Sequence, residues 1–523
     1  MVRTILQAVK PHDQYQLEIK LDYELLQGER TRYRVRTYFF VPQNLGINQD
    51  TYDDERFYRD VQNYLRLKTP SLILRDFTTS PSSPLLKIER IVSRENWMAD
   101  PGAGDLLINN IKVMGAMWKS ALRDHVELIQ RRIAEAPPSS DIGLQIDNLI
   151  DDLLVESRKI REAYRRFYAA VNLPHVDDQI FVAYQFTDEW ISLQLEESAV
   201  ELYQIADSHL KEERKERIQR ELQELVESEY EHRRSHGYDS ILRPDDDNES
   251  YIYRLSVLKK FTSSVLFLNT DMNAEGETLE HVLFALAAGV SMIFATMVAF
   301  YAQQQFGELT FPLFIALVVG YMFKDRIKEL GRDVFASLLR NHLYDRRITL
   351  QTREGGHRLG FLREKVDFVS EEEIPQEVLN LRDRDHITDV NNDGQGETVF
   401  CYSKEVVLFT NTFKEAFAQM PPISGINDIM RYDIRNYLRK MDEPFQERQL
   451  LANHNLVSAL CHKVYHLNLI SVYELVEPKT DLLYRRTRLV LDRKGIKRIE
   501  HGRENQRVAG DRRLDTSDWG APA

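Results

Sequence analysis

The spacing of apolar positions divides this chain into six stretches, and one of them carries an apolar run without interruption. In 282–302, VLFALAAGVSMIFATMVAFYA, there is no charged side chain in 21 residues. At ~1.5 Å per residue such a helix matches a hydrocarbon core of ~30 Å, so the run predicts a transmembrane helix. A second apolar run, 309–323, follows after the connection QQQFGE, and the two predict a transmembrane hairpin over 279–323. Ala287, Ser291, Ala295 and Ala299 recur every fourth residue in the first helix, and Pro312, Ala316 and Gly320 do so in the second. Ridges of small residues let helices approach closely; here they can join the hairpin to itself or to a second copy. The helical pattern runs on through 324–343, with Ile327, Leu330, Val334, Leu338 and Leu339 on its apolar side. If unbroken, 309–343 forms a rod of roughly 50 Å.

Ahead of the hairpin the period is first 2 and then 3.6. QYQLEIKLDYEL (14–25) and RYRVRTYFFVP (32–42) partly alternate and predict paired strands. Residues 53–67 predict a short helix capped by Asp53, and 71–77 and 85–92 predict further strands around the loop SPSSP, which makes 1–100 a small α+β domain. From 105 to 236 the pattern is helical. Breaks at Pro137-Pro138 and at NLPHVDD predict an antiparallel bundle, with Asp141 and the Asp177 region opening its later helices. A coiled-coil-like seam of Leu195, Ala199, Leu202 and Ala206 lapses in KEERKER (211–217) and resumes at Ile218, Leu222 and Leu225. Residues 237–278 read as a polar linker followed by an amphipathic juxtamembrane helix, striped by Ile252, Leu255, Leu258, Phe261, Val265 and Leu268. That stripe suits a membrane interface or a soluble partner equally.

The remainder, 344–523, predicts a second α+β domain. Strands are expected at 345–353, 358–370 and 397–410, amphipathic helices at 424–441 and 447–464, and a closing hairpin turning at Lys494-Gly495, with the chain frayed from Asn505. The fold class expected is therefore α+β with a helical bundle region, in an integral membrane protein whose two-helix hairpin lies between two cytoplasmic regions.

Charge sets the orientation. The connection 303–308 has no Lys or Arg, whereas Lys324, Arg326, Lys328 and Arg332 follow the second helix at once. Basic flanks stay on the cytoplasmic side, which predicts a multi-pass protein of the cell (inner) membrane with both termini cytoplasmic. Two cysteines in 523 residues provide no disulfide framework. A net charge of -13 disfavours a general nucleic-acid binder. Residues 479–513 run against that sign, with twelve Lys or Arg and five acids. This segment could contact anionic lipid, or form the outer face of a hairpin; it lacks the interleaved aromatics of a nucleic-acid stacking surface.

Two candidate metal sites remain. Asp389, Asn391, Asp393 and Glu397 resemble the start of a DxNxDG calcium loop, but Phe400 stands where a bidentate Glu is required and a strand follows. His462 and His466, four apart with Cys461 adjacent and His454 two turns earlier, would share one face of a helix. His232 and His236 have the same spacing at the end of a charged helix. No phosphate loop, dinucleotide fingerprint, nucleophile elbow or kinase signature is present, and no cofactor is implied. The leading expectation is a non-enzymatic membrane protein anchoring cytoplasmic interaction domains, with a scaffold or assembly role and a protein partner or second copy. The alternatives are a tethered sensor that binds a metal or small ligand in its C-terminal domain, and an oligomeric channel.

Overall fold

The computed structural model describes residues 7–507, apart from 96, 101, 137–141, 308–309, 354–355, 384–395, 419, 453–454, 478–481 and 503–504. The fold is mixed α+β, in two units. One comprises Met1–Tyr64, Asn269–Thr412 and Asp428–Ala523; the other comprises Leu65–Leu268 and Phe413–Asn427.

The first unit is built on β3 (Arg30–Pro42), whose sequence RTRYRVRTYFFVP gives its two faces different chemistry. β3 pairs antiparallel with β8 (Glu397–Phe409) on one edge and β12 (Tyr465–Glu477) on the other. β7 (Arg358–Phe368), β6 (Arg346–Gln351) and β5 (Asn269–Ala274) extend the sheet beyond β8; β13 (Leu482–Asp492), β14 (Gly495–His501) and β15 (Asn505–Arg507) extend it beyond β12. A second sheet has the order β1 (Gln7–Pro11), β2 (Gln16–Glu24), β9 (Gly425–Asp433), β4 (Val61–Leu67). The two sheets face each other through the odd positions of β3. Tyr33 meets Tyr23 with ring centroids 5.3 Å apart, and Phe39 meets Tyr432 at 5.5 Å. On the even face Tyr38 and Phe40 join Cys401, Ile470 and Tyr484 beneath Val378 and Leu381 of α12 (Gln376–Asp383). Further along that face Arg30, Arg32 and Arg34 pair with Glu477, Glu405 and Glu474.

The second unit is helical. The one-turn α2 (Asp76–Thr79) and α3 (Pro84–Val92) lead into α4 (Ala103–Glu135), α5 (Gly143–Arg165), the short α6 (Tyr168–Val171), α7 (Asp178–His209), α8 (Glu212–Ser235) and α9 (Glu249–Ser263). The interrupted seam is explained here: Leu195, Ala199, Leu202 and Ala206 of α7 and Ile218, Leu222 and Leu225 of α8 lie in one buried core. The chain turns back at Leu210, so the two halves of the seam meet each other. Gly115 lets helices crowd together, since a Cβ there would come 2.6 Å from Thr262 of α9, and Trp190 Nε1 donates to the Gly115 carbonyl at 3.1 Å.

Several expectations are corrected. The first 64 residues are part of a sheet completed by the C-terminal strands and do not form a domain of 1–100, because β3 presents hydrogen-bonding edges on both sides and both are filled from beyond residue 396. The helix capped by Asp53, α1 (Asp54–Asp60), ends at Asp60 and continues as β4. Residues 84–92 are helical: Pro84 occupies the first turn, Ser83 Oγ accepts from the Leu85 N–H, and Leu85, Ile88 and Ile91 are buried on one side. The amphipathic segment of 237–278 covers the bundle, with Leu258 fully buried beside Trp190 and Leu193. Residues 424–441 form β9 and the one-turn α14 (Arg435–Leu438), following α13 (Thr410–Ala416), and 447–464 form the ribbon of β10 (Phe445–Ala452) and β11 (Asn455–His462). The expected turn at Gly495 is present, at φ +139°, while 505–507 pair with β13 where fraying was expected.

Candidate functional site

α10 (Glu277–Phe306) and α11 (Phe311–His342) form an antiparallel helical hairpin. A Cβ on Gly320 would lie 2.9 Å from Val298 and one on Gly331 3.0 Å from Ala287, which fixes the register of the pair. Ala287, Ser291 and Gly320 are buried in this contact, Ala295, Ala299 and Ala316 are half-buried, and Pro312 is exposed. Leu279–Phe306 is long and apolar enough to cross a membrane, and only 11% of its apolar window is buried. A soluble core helix would be covered. Instead Phe300 (69% exposed), Phe311 (74%) and Met322 (65%) point away from all described protein. The register places the charged turns of α11 from Lys324 to Arg332 alongside 286–294 of α10. Arg332 stacks over Phe284 at 4.6 Å, and Arg326 pairs with Glu329 at 2.9 Å.

Neither metal candidate is assembled among the described residues. Asp389, Asn391 and Asp393 lie outside the described residues, and the Glu397 carboxylate is held by Arg382, at 2.7 and 2.9 Å. His462 ends β11, with Nδ1 2.8 Å from Lys497 Nζ, and His466 is on β12. The helix that would have aligned them is absent, and His454 is outside the described residues. No group of three or more His, Cys, Asp or Glu side chains suited to a metal occurs among the described residues. His232 is engaged differently, with Nε2 2.7 Å from Asp188 in the helical core. The basic segment near the C-terminus is partly neutralised, since Arg488 and Arg498 both pair with Glu500, and Arg493 with Glu443.

A site that the periodicities gave no hint of lies between α1 and α14. The two elements are far apart in sequence, yet Asp60 at the end of α1 accepts from Tyr52 Oη and from Asn436 Nδ2, 376 positions later, both at 2.7 Å. Tyr52 Oη also lies 3.2 Å from Tyr432 Oη, and Tyr432 bonds Tyr437. Tyr52 and the half-buried Asp60 carboxylate line a cavity of about 670 Å³, with Tyr432 and Tyr437 bonded behind Tyr52. Burial pushes the Asp60 carboxyl above its usual range, against the two hydrogen bonds that favour its charged form. Arg56 and Arg59 stand on one wall, Arg435, Arg439 and Lys440 on the other. Arg435 is spent on Asp433, with contacts of 2.8 and 3.0 Å. Arg59 touches exposed Glu55 at 3.2 Å, and Arg439 and Lys440 have no acidic partner among the described residues. Lys440 lies across Gly46, whose φ of +64° and missing Cβ leave room for it. The sequence signal was faint: RFYR on a short helix and RNYLRK on another, neither remarkable until a sheet places them together.

No protein-family model, no curated protein and no solved structure matches this chain.

Proposed function

We propose that this is an integral membrane protein in which α10 enters the bilayer, α11 returns, and the domains on that one side bind partners in a scaffold or assembly role. The observation that carries the reading is a pairing at the root of the hairpin. β5 leads into α10, β6 follows α11, and the two strands pair from Asn269↔Gln351 to Ala274↔Arg346. A chain that crossed only once could not pair these strands, so an apolar α10 in lipid requires α11 to come back. The exposed apolar surface of both helices supports the same reading, because hydrocarbon is the solvent in which it carries no penalty.

The partner in this reading includes a second copy. Apolar surface is shared by both helices over 295–302 and 316–323, a layer roughly 12 Å deep at ~1.5 Å per residue, less than the ~30 Å of a hydrocarbon core. Below that layer α10 stays apolar while α11 exposes Asp325, Arg326 and Glu329. Charges at that depth avoid lipid, and a stripe of mixed sign is complementary to itself. Cysteines at Arg326 should therefore crosslink between copies, and cysteines at Leu286 should not.

Alkaline carbonate washing should leave the protein in the membrane pellet; release into the supernatant would overturn the reading. In sealed vesicles, Asn273→Cys and Thr352→Cys should react with an impermeant maleimide from the same side. Labelling from opposite sides would exclude the hairpin. The sensor alternative is favoured by one observation, the cavity between α1 and α14, in the unit from which α11 emerges.

A further inference from the structure

We propose that the cavity between α1 and α14 binds a small phosphate-bearing anion of at least two negative charges. This gives the sensor alternative its ligand class but stands on the cavity alone, so its failure would leave the membrane reading untouched.

The lining is biased in sign. Five cations face two acids, and one of those acids, Asp433, is already neutralised by Arg435. Three cationic charges are left in excess. The cations come from two walls, Arg56 and Arg59 from the α1 side and Arg439 and Lys440 from the end of α14. Between those walls the floor is tied by Asn436 to Asp60. Elsewhere in this unit Arg32 is spent on the buried Glu405 at 2.9 Å. Here Arg439 and Lys440 are left to the cavity.

The size and donor chemistry narrow the class. Sites for metabolite-sized ligands are typically ~300–1,000 Å³, and 670 Å³ falls within that range. Guanidinium forks grip two oxygens of a phosphate at once, while a lysine adds a point charge. Donors on opposite walls match a tetrahedral group with several terminal oxygens better than a planar carboxylate. Asp60 marks the end of the cavity that anionic oxygens must avoid and that a hydroxyl of the ligand can occupy.

The same chemistry could come from a soluble phosphate compound or from a phospholipid headgroup, and one experiment separates them. The full chain in detergent micelles is titrated calorimetrically with pyrophosphate, and with citrate as a carboxylate of comparable charge, at low ionic strength. Pyrophosphate should bind, and citrate more weakly. Arg439→Gln with Lys440→Gln, both exposed positions, should weaken pyrophosphate about tenfold or more, as loss of charge-assisted contacts does. Asp60→Asn, which keeps an acceptor for Tyr52, should tighten it. Arg234→Gln on α8, outside the cavity, should change nothing. Adding phosphatidic acid to the micelles assigns the source: an unchanged pyrophosphate affinity means a soluble ligand, and competition means a headgroup. No pyrophosphate binding at about 1 mM, the weak end of specific affinity, would overturn the proposal. So would equal affinity for citrate, or a double variant that binds as tightly as the parent.

Discussion

Glu229 is enclosed in the helical unit and accepts from Arg165 at 2.7 and 3.2 Å and from Arg161. Burial alone would push its carboxyl up, but the two guanidinium charges outweigh burial and hold it below the usual range. Glu364, enclosed between Lys404 and Arg346, behaves in the same way. Removing one partner of such a group leaves an uncompensated buried charge, worth about 3–5 kcal/mol. Glu229→Gln should destabilise the helical unit by that amount in denaturant titrations. The pH dependence has a fixed sign. Both carboxyls are lower in the folded state than the ~4.3 of a free Glu, so their contribution is complete at neutral pH. It disappears as pH falls below that value towards the folded ones. Thermal stability should drop on acidification, and Glu229→Gln should flatten part of the drop; a stability that rises on acidification would contradict the assignment. None of these pairings could be read from the sequence. Arg161, Arg165 and Glu229 sit on helices whose order in space depends on where the chain turns, and a string of charges does not say which ones face inward.

Among the elements, the helical hairpin was the most legible because uninterrupted apolarity needs no partner to interpret it. The unit of long helices was legible too, since 3.6-residue spacing survives wherever one face is buried. The strands that were misread failed for two opposite reasons. β9 is buried on both faces over its first four residues, so Ile426 and Met430 fall at a spacing that suits a helix as well as a strand. The ribbon of β10 and β11 is exposed on both faces, with Leu451 at 74% and Leu456 at 64%. With no buried side, nothing imposes alternation. Close backbone contact also goes unannounced. A Cβ on Gly360 of β7 would run into the Val407 carbonyl of β8, which no rotamer change relieves. Gly360→Ala should cost about 1–3 kcal/mol, the usual range for overpacking, and lower the unfolding temperature of the sheet unit. Gly320→Leu should separate α10 from α11 at Val298 and reduce the yield of membrane-inserted protein, read from the carbonate-resistant fraction.

At the scale of the whole molecule, the two units differ in how much chain each one needs. The helical core draws almost entirely on 65–268, with Met420 as a later addition. A fragment of 65–268 should fold alone, with a helical circular dichroism spectrum and a cooperative melt. Residues 1–64 should not, because β3 would lack both neighbours; a protease-resistant 1–64 fragment would contradict this. The same interleaving has a consequence in time. Synthesis proceeds at ~5–20 residues per second, and about 350 residues separate the end of β3 from the start of β8. For roughly 20 to 70 s the nascent strand waits with both edges unpaired, and in the proposed topology the hairpin has to be inserted behind it during that time. If only one helix crosses, β3 and β8 end up on opposite sides of the bilayer and the sheet cannot close. In the proposed topology, closing the sheet would require both helices to have gone in.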